Sequence, residues 1–281
     1  MRIGLFGLML ALVATLFFMP AASAQTGQQA TAAKTAAAKA QPFDPHDLSG
    51  VWWRRGKSGS TLSRNDVPPM TPWAQAKYAA NKPGIGRADR VVPLGNDPMM
   101  ACDPVGFPRI SFYDAYPSEI IQVPSRVLVF FDYFYAHRTI WTDGRELPKD
   151  PDPTWYGVSV GKWEGDTLVV ETVGFNDRTW IDDDGHPHSE DMRVEERYRR
   201  VDHDTIELNM TIIDPKAYTK PWVGETKTWK LDPKMELRED VCVPSDEAKY
   251  KEEMRVPAAT PRRQVTGEKG KVTGAIFRPF P

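Results

Sequence analysis

Two glutamates fall among apolar neighbours where a strand would turn them inward. In the predicted strand Met192 to Arg200, alternation puts Met192, Val194 and Tyr198 on one face, with Glu196 among them. In the predicted strand Glu236 to Val243, Leu237 and Val241 form the apolar face and Glu239 lies between them. The stretch Thr205 to Ile213 supplies Ile206, Leu208, Met210 and Ile212 without a charge. A carboxylate on an apolar face is costly unless it is paired or protonated. Desolvation raises its pKa and suits it to general acid or base work near neutral pH. The competing outcomes are an internal ion pair, with Arg138 or Arg126 as the opposite charge, and a wet position at a barrel mouth.

Of the five histidines, three matter for chemistry. His137 lies in the run Tyr133 to Trp141, where parity groups it with Tyr133, Tyr135, Thr139 and Trp141. Turned inward, that face would wall a pocket for a flat ligand. The opposite face, with Phe134, Ala136, Arg138 and Ile140, is the alternative. His186 and His188, two apart around Pro187, suit a metal only if a third ligand such as His137 or Glu190 converges, so no metal is assigned. His188-Ser189 lacks the strained G-x-S-x-G turn of an activated nucleophile. Asp182 to Asp184 lacks the spacing of an EF-hand loop and reads as a solvated acidic turn. The expected acid–base set is therefore Glu196, Glu239, His137 and His188. The expected ligand contacts are Tyr133, Tyr135, Arg138, Trp141, Trp155 and Trp180, with the loop tryptophans either capping a barrel mouth or plugging a small core.

The elements that must position these groups are mostly strands. Leu48 to Arg54, Glu119 to Val123, Val127 to Tyr135 and His137 to Thr142 are β-branched or aromatic runs. Tyr156 to Trp163 and Thr167 to Val173 flank Glu164-Gly165-Asp166; Met192 to Arg200 and Thr205 to Ile213 flank Val201 to Asp204; Glu225 to Leu231 and Glu236 to Val243 flank Asp232 to Lys234. These are three hairpins, and the whole predicts an all-β antiparallel barrel of about 8–10 strands, lipocalin-like in its rhythm. Asn65 to Pro117 is rich in Pro and Gly and predicts loop, interrupted by a helix that Thr71 caps and Pro72 starts. Ser245 is expected to cap a second short helix running to Arg255.

Residues 1–24 read as a cleaved secretory signal: Arg2, an apolar run from Ile3 to Met19, then Ala22-Ser23-Ala24. Residues 25–42 read as a flexible tether, 43–256 as the barrel domain with its loop-rich N-terminal extension, and 257–281 as a mobile tail. The expected location is periplasmic or extracellular. There, an isolated pair, Cys102 and Cys242, points to a disulfide rather than a metal site; two free buried thiols are the alternative that spacing does not settle. A net charge of −2 provides no basic surplus for nucleic acid or an anionic membrane face. No G-x-G-x-x-G, P-loop, H-E-x-x-H or paired C-x-x-C occurs, which argues against dinucleotide, nucleotide triphosphate, zincin and dithiol chemistry; no cofactor and no stable membrane insertion are expected.

The segments Thr142 to Arg145, Trp155 to Thr172, Gly174 to Asn176, His186 to Ser189, Glu196 to Tyr198, Asp214-Pro215 and Tyr218 to Trp222 together resemble an uncharacterised family of secreted bacterial β-rich proteins. The likeness spans roughly His137 to Cys242. It implies kinship and export and carries no reaction. The expectation is an exported barrel binding a small, partly aromatic or apolar molecule in an internal pocket. The alternative is a cofactor-independent hydrolase, lyase or isomerase in the same pocket.

Overall fold

The computed structural model describes residues 41–55, 60–63, 65–83 and 95–255. The expected signal peptide, nearly all of the tether and the tail lie outside the described residues. Ten strands follow in chain order: β1 (Gly50–Arg55), β2 (Ser118–Val123), β3 (Arg126–Phe131), β4 (Ala136–Trp141), β5 (Val158–Glu164), β6 (Thr167–Val173), β7 (Arg193–Asp202), β8 (Thr205–Ile213), β9 (Trp222–Val223) and β10 (Lys227–Leu231). Helix α1 is Pro72–Ala80 and α2 is Pro244–Tyr250. Neighbours pair in sequence from β1 to β9; β10 pairs with β1 on one side and β8 on the other, closing a nine-stranded barrel with β9 as a flap along β8. The predicted all-β barrel is thus present.

Strand number explains the one departure from antiparallel pairing. A closed ring of alternating strands needs an even count, so nine strands force two neighbours to run the same way. Those are β4 and β5, paired in parallel at Ile140–Ser159 and Trp141–Val160. Parallel strands need a longer connection than a hairpin. Asp143-Gly144 accordingly opens a Pro-rich crossover, with Gly144 at φ +86°, rather than a tight hairpin.

Alternation decides what faces the core. Along β7, Val194, Glu196, Tyr198 and Arg200 are buried while their odd-numbered neighbours are not. On β8 the buried apolar set is Ile206, Leu208, Met210 and Ile212, with Thr205 buried at the start of the strand. Trp52 of β1 and Trp229 of β10 are almost fully buried across from them. The loop-rich stretch before β2 contributes to this interior: Val105, Phe107, Ile110 and Phe112 all join the core cluster. Phe107 lies against Arg138, an inward residue of β4, and Phe112 against the buried Lys227 of β10.

Three expected elements differ. The strand Val127 to Tyr135 stops at Phe131, and Tyr133–Tyr135 form a 3-10 turn in which Phe134 and Tyr135 have φ +55° and +50°. Glu236 to Val243 is no strand; it is a strap over the outside of the barrel. Helix α2 begins two residues earlier than expected, at Pro244 with Val243 at the cap position, so Ser245 lies inside it. Thr71 does cap α1, accepting from the Ala74 N–H at 3.3 Å.

Candidate functional site

Glu196 faces the barrel interior, fully buried, and the internal ion pair is its fate. Arg138 Nη1 and Nη2 donate to its two oxygens at 3.1 and 2.9 Å. Tyr198 Oη donates to Oε1 at 2.7 Å. Arg138 Nη2 also donates to Ser159 Oγ at 2.7 Å and Thr172 Oγ1 at 3.1 Å, and the guanidinium centre sits 3.8 Å from the Phe107 ring centre. Burial and the Glu196 charge hold the Tyr198 phenol well above its ordinary range. The carboxylate is therefore committed to neighbours and roofed by a ring. Glu239 does not face this space: it is exposed on the strap, so the two acids expected to share an interior do not.

His137 points outward. Burial along β4 makes Arg138 and Ile140 the inner face, leaving His137, Thr139 and Trp141 on the outer one. Within β4 the alternation holds and the alternative face, with Arg138 and Ile140, is the inward one; Tyr133 and Tyr135 leave the grouping because they lie in the 3-10 turn. The expected aromatic contacts also disperse. Trp141 carries the guanidinium of Arg145 at 3.6 Å and that of Arg126 at 5.3 Å. Trp155 carries Arg178 at 4.7 Å, and Trp180 is buried with Arg109 over its ring at 5.5 Å. Tyr133 packs on Tyr113, Tyr116 and Phe134 with ring centres 4.3–4.7 Å apart.

The loop between β6 and β7 is the second polar constellation, and it is buried rather than solvated. Asp182 is fully buried and accepts the N–H groups of Asp184 and His186 at 3.1 and 3.3 Å. His186 Nδ1 lies 2.7–2.8 Å from both Asp182 oxygens. The imidazole is stacked by Tyr78 of α1 and met edge-on by Trp222 of β9, each at 4.9 Å. Asp183, pointing the other way, joins Asp97 in clamping Arg109. Burial opposes the charge of Arg109, yet Tyr113, Asp97 and Asp183 together hold its guanidinium well above the ordinary range. Asp182, Asp184 and His186 can each direct one ligand atom within 4.8 Å of the others, so they, rather than the His186–His188 pair, are the residues able to hold a metal among those described.

His188 is buried beside Phe175, and burial lowers its pKa. Its Nδ1 lies 3.2 Å from the Ser189 carbonyl oxygen, not from the hydroxyl. Ser189 Oγ donates to Asp214 at 2.8 Å, and the Ser189 N–H does so at 2.7 Å. The pair is thus a loop anchor and not a base beside a nucleophile.

Open space lies elsewhere, under the strap. Cys242 at its end is bonded to Cys102, with Cα atoms 5.4 Å apart. At its middle, Arg238 donates through Nε and Nη2 to the buried Asp132 at 3.0 and 2.6 Å, and its backbone N–H also bonds that carboxylate. Asp240 accepts the Phe134 N–H at 3.2 Å. Two successive left-handed residues that are not glycine cost about 1–2 kcal/mol each, and these bonds hold them in place. The turn delivers Tyr135 and Ala136 to a cavity of about 390 Å³. Its walls are Ile121, Phe130 and Tyr135 from the barrel and Met235 and Leu237 from the strap, with the carboxylates Glu119 and Glu236 beside them. Ala136 also lines a second cavity of about 500 Å³, with Phe134, His137 and Tyr156 on one side and the disulfide and Val241 on the other. Burial pushes the Tyr156 phenol up to about 12 against a bond from the Gly106 backbone.

Of the expected site residues, Tyr135 and His137 therefore meet at adjoining cavities. Glu119, Phe130 and the strap were missed. The signal available was the outer row across four strands, Val51, Glu119, Phe130 and His137, which is an acid between two apolar neighbours with an imidazole at the end. No family model matches the chain, and comparison with curated proteins and with solved structures finds no match.

Proposed function

We propose that this protein is an exported binder of a small, partly aromatic or apolar molecule, and that its site is the pair of cavities beneath the strap. The single observation that carries this reading is their placement: two clefts of about 390 and 500 Å³ that share Ala136, are lined by aromatic rings and are flanked by a segment anchored through a disulfide. Such volumes suit ligands of modest size. The barrel interior, by contrast, is packed around the Arg138–Glu196 pair by Phe107. A disulfide is at home in an oxidising compartment, which supports export. Among the described residues no helix is long and apolar enough to cross a membrane.

A thermal-shift screen with aromatic, isoprenoid and sugar libraries, followed by native mass spectrometry, tests the reading. Leu237→Trp should fill the first cavity and abolish binding without unfolding the barrel. Undiminished binding in that variant would remove the site from the strap. A second reading, cofactor-independent acid–base catalysis, draws on the Asp182–His186 pair, in which both carboxylate oxygens lie 2.7–2.8 Å from His186 Nδ1. In that case any turnover should vanish in His186→Asn and survive Glu196→Gln; turnover retained in His186→Asn would end it.

A further inference from the structure

The cavity chemistry narrows the ligand further. Glu119 stands on the outer face of β2, directly opposite Val51 of β1 and Phe130 of β3. Ile121 follows on the same face. Cross-strand neighbours of this kind lie about 4.5–5.5 Å apart between Cβ atoms, so the carboxylate is set in an apolar patch. Glu236 reaches the same cavity from the strap. Among the described residues neither carboxylate has an ion pair or a side-chain hydrogen bond, unlike the strap's other well-placed acid, Asp240. Arg238, beside Leu237 on the strap, is already committed to Asp132. Two negative groups in a cleft lined by Phe130, Phe131 and Tyr135 favour one class of guest. A cation on an apolar body meets the carboxylates by charge and the ring faces by their quadrupole, while an anion meets repulsion from both.

Resting on the strap cavity being the ligand site, we infer that it takes an organic ammonium compound: a primary or quaternary ammonium group between Glu119 and Glu236, with its apolar part on Phe130 and Tyr135. The second cavity, with His137 and no carboxylate on its wall, takes the remainder of a longer guest.

Three probes of one shape separate the possibilities: phenethylamine, 2-phenylethanol and phenylacetate, titrated at neutral pH into the full mature chain by calorimetry and ligand-observed NMR. The amine should bind about tenfold or more tightly than the alcohol, and phenylacetate should be weakest. Glu119→Gln and Glu236→Gln should each lower amine affinity severalfold, leave the alcohol unchanged and leave the melting temperature within a degree or two. Raising salt should weaken the amine alone. Equal binding of amine and alcohol, or amine binding indifferent to both substitutions, overturns the ammonium assignment while the cavity remains a binding site. Failure of all three probes to bind a folded chain, with Leu237→Trp indistinguishable from wild type across the wider library, overturns the site itself.

Discussion

Glu196 sits in the inward-facing row of β7 with Val194, Tyr198 and Arg200. Its carboxylate is fully buried and satisfied by Arg138 and Tyr198. Removing one member of a buried pair typically costs about 3–5 kcal/mol because the other charge is stranded. Glu196→Gln should therefore lower urea-unfolding stability by roughly 3 kcal/mol while ligand binding at the strap is unchanged. Arg138→Met combined with Glu196→Met should cost clearly less than the sum of the two single substitutions. His188 makes a separate residue-scale prediction. Burial lowers its pKa below the ordinary 6.5, so the fold prefers the neutral ring. The unfolded chain takes up that proton first. The contribution of the neutral ring is complete above about pH 6.5 and is lost as pH falls from there through the lowered folded value. Denaturant titrations from about pH 7 to pH 5 should show stability falling, and His188→Asn should flatten that part of the curve; an unchanged slope would mean other groups carry it.

At the scale of elements, the strap is the component to test. The disulfide closes a loop of sequence separation 140, worth up to about 5 kcal/mol on the chain-entropy model. In Cys102→Ser/Cys242→Ser the segment 232–243 should become the first site of proteolysis, ligand binding should drop, and the far-UV signal of the barrel should persist. Asp240→Ala should lower affinity in the same direction by freeing the Phe134–Tyr135 turn. This is also where the sequence stops being legible. Alternation reveals β7 and most of β8 because each has one face in the core and one turned towards water. The same alternation in Glu236 to Val243 reads as a strand, yet that segment is held by side chains and a covalent bond to residues about a hundred positions away. Tyr133 to Tyr135 has strand-like composition, but a distant carboxylate holds its turn. Phe107 and Phe112 sit in a Pro- and Gly-rich stretch whose composition predicts surface loop, and only the closed barrel shows that they fill a core.

Over the whole molecule, closure and filling go together. Val105, Phe107, Ile110 and Phe112 pack into the buried core together with the inward residues of the strands, so the barrel centre behaves as a core and the available surface for a guest moves outside. Phe107→Ala should cost about 3–5 kcal/mol through lost burial and the void left behind, measured by chemical denaturation. A cost under 1 kcal/mol would mean that the ring is not a core component.

The parallel contact between β4 and β5 has a mechanical side. It aligns only Ile140 with Ser159 and Trp141 with Val160, whereas β7 and β8 stay in one register from Arg193–Ile213 to Arg200–Ile206. The ring thus has a thin seam, and amides of β4 and β5 should exchange with deuterated solvent well before those of β7 and β8. Arg138 is rooted on one lip of that seam and grips Ser159, Thr172 and Glu196 on the three strands beyond it. The guanidinium acts as a rivet from within, and a barrel deprived of it should unzip along that line first.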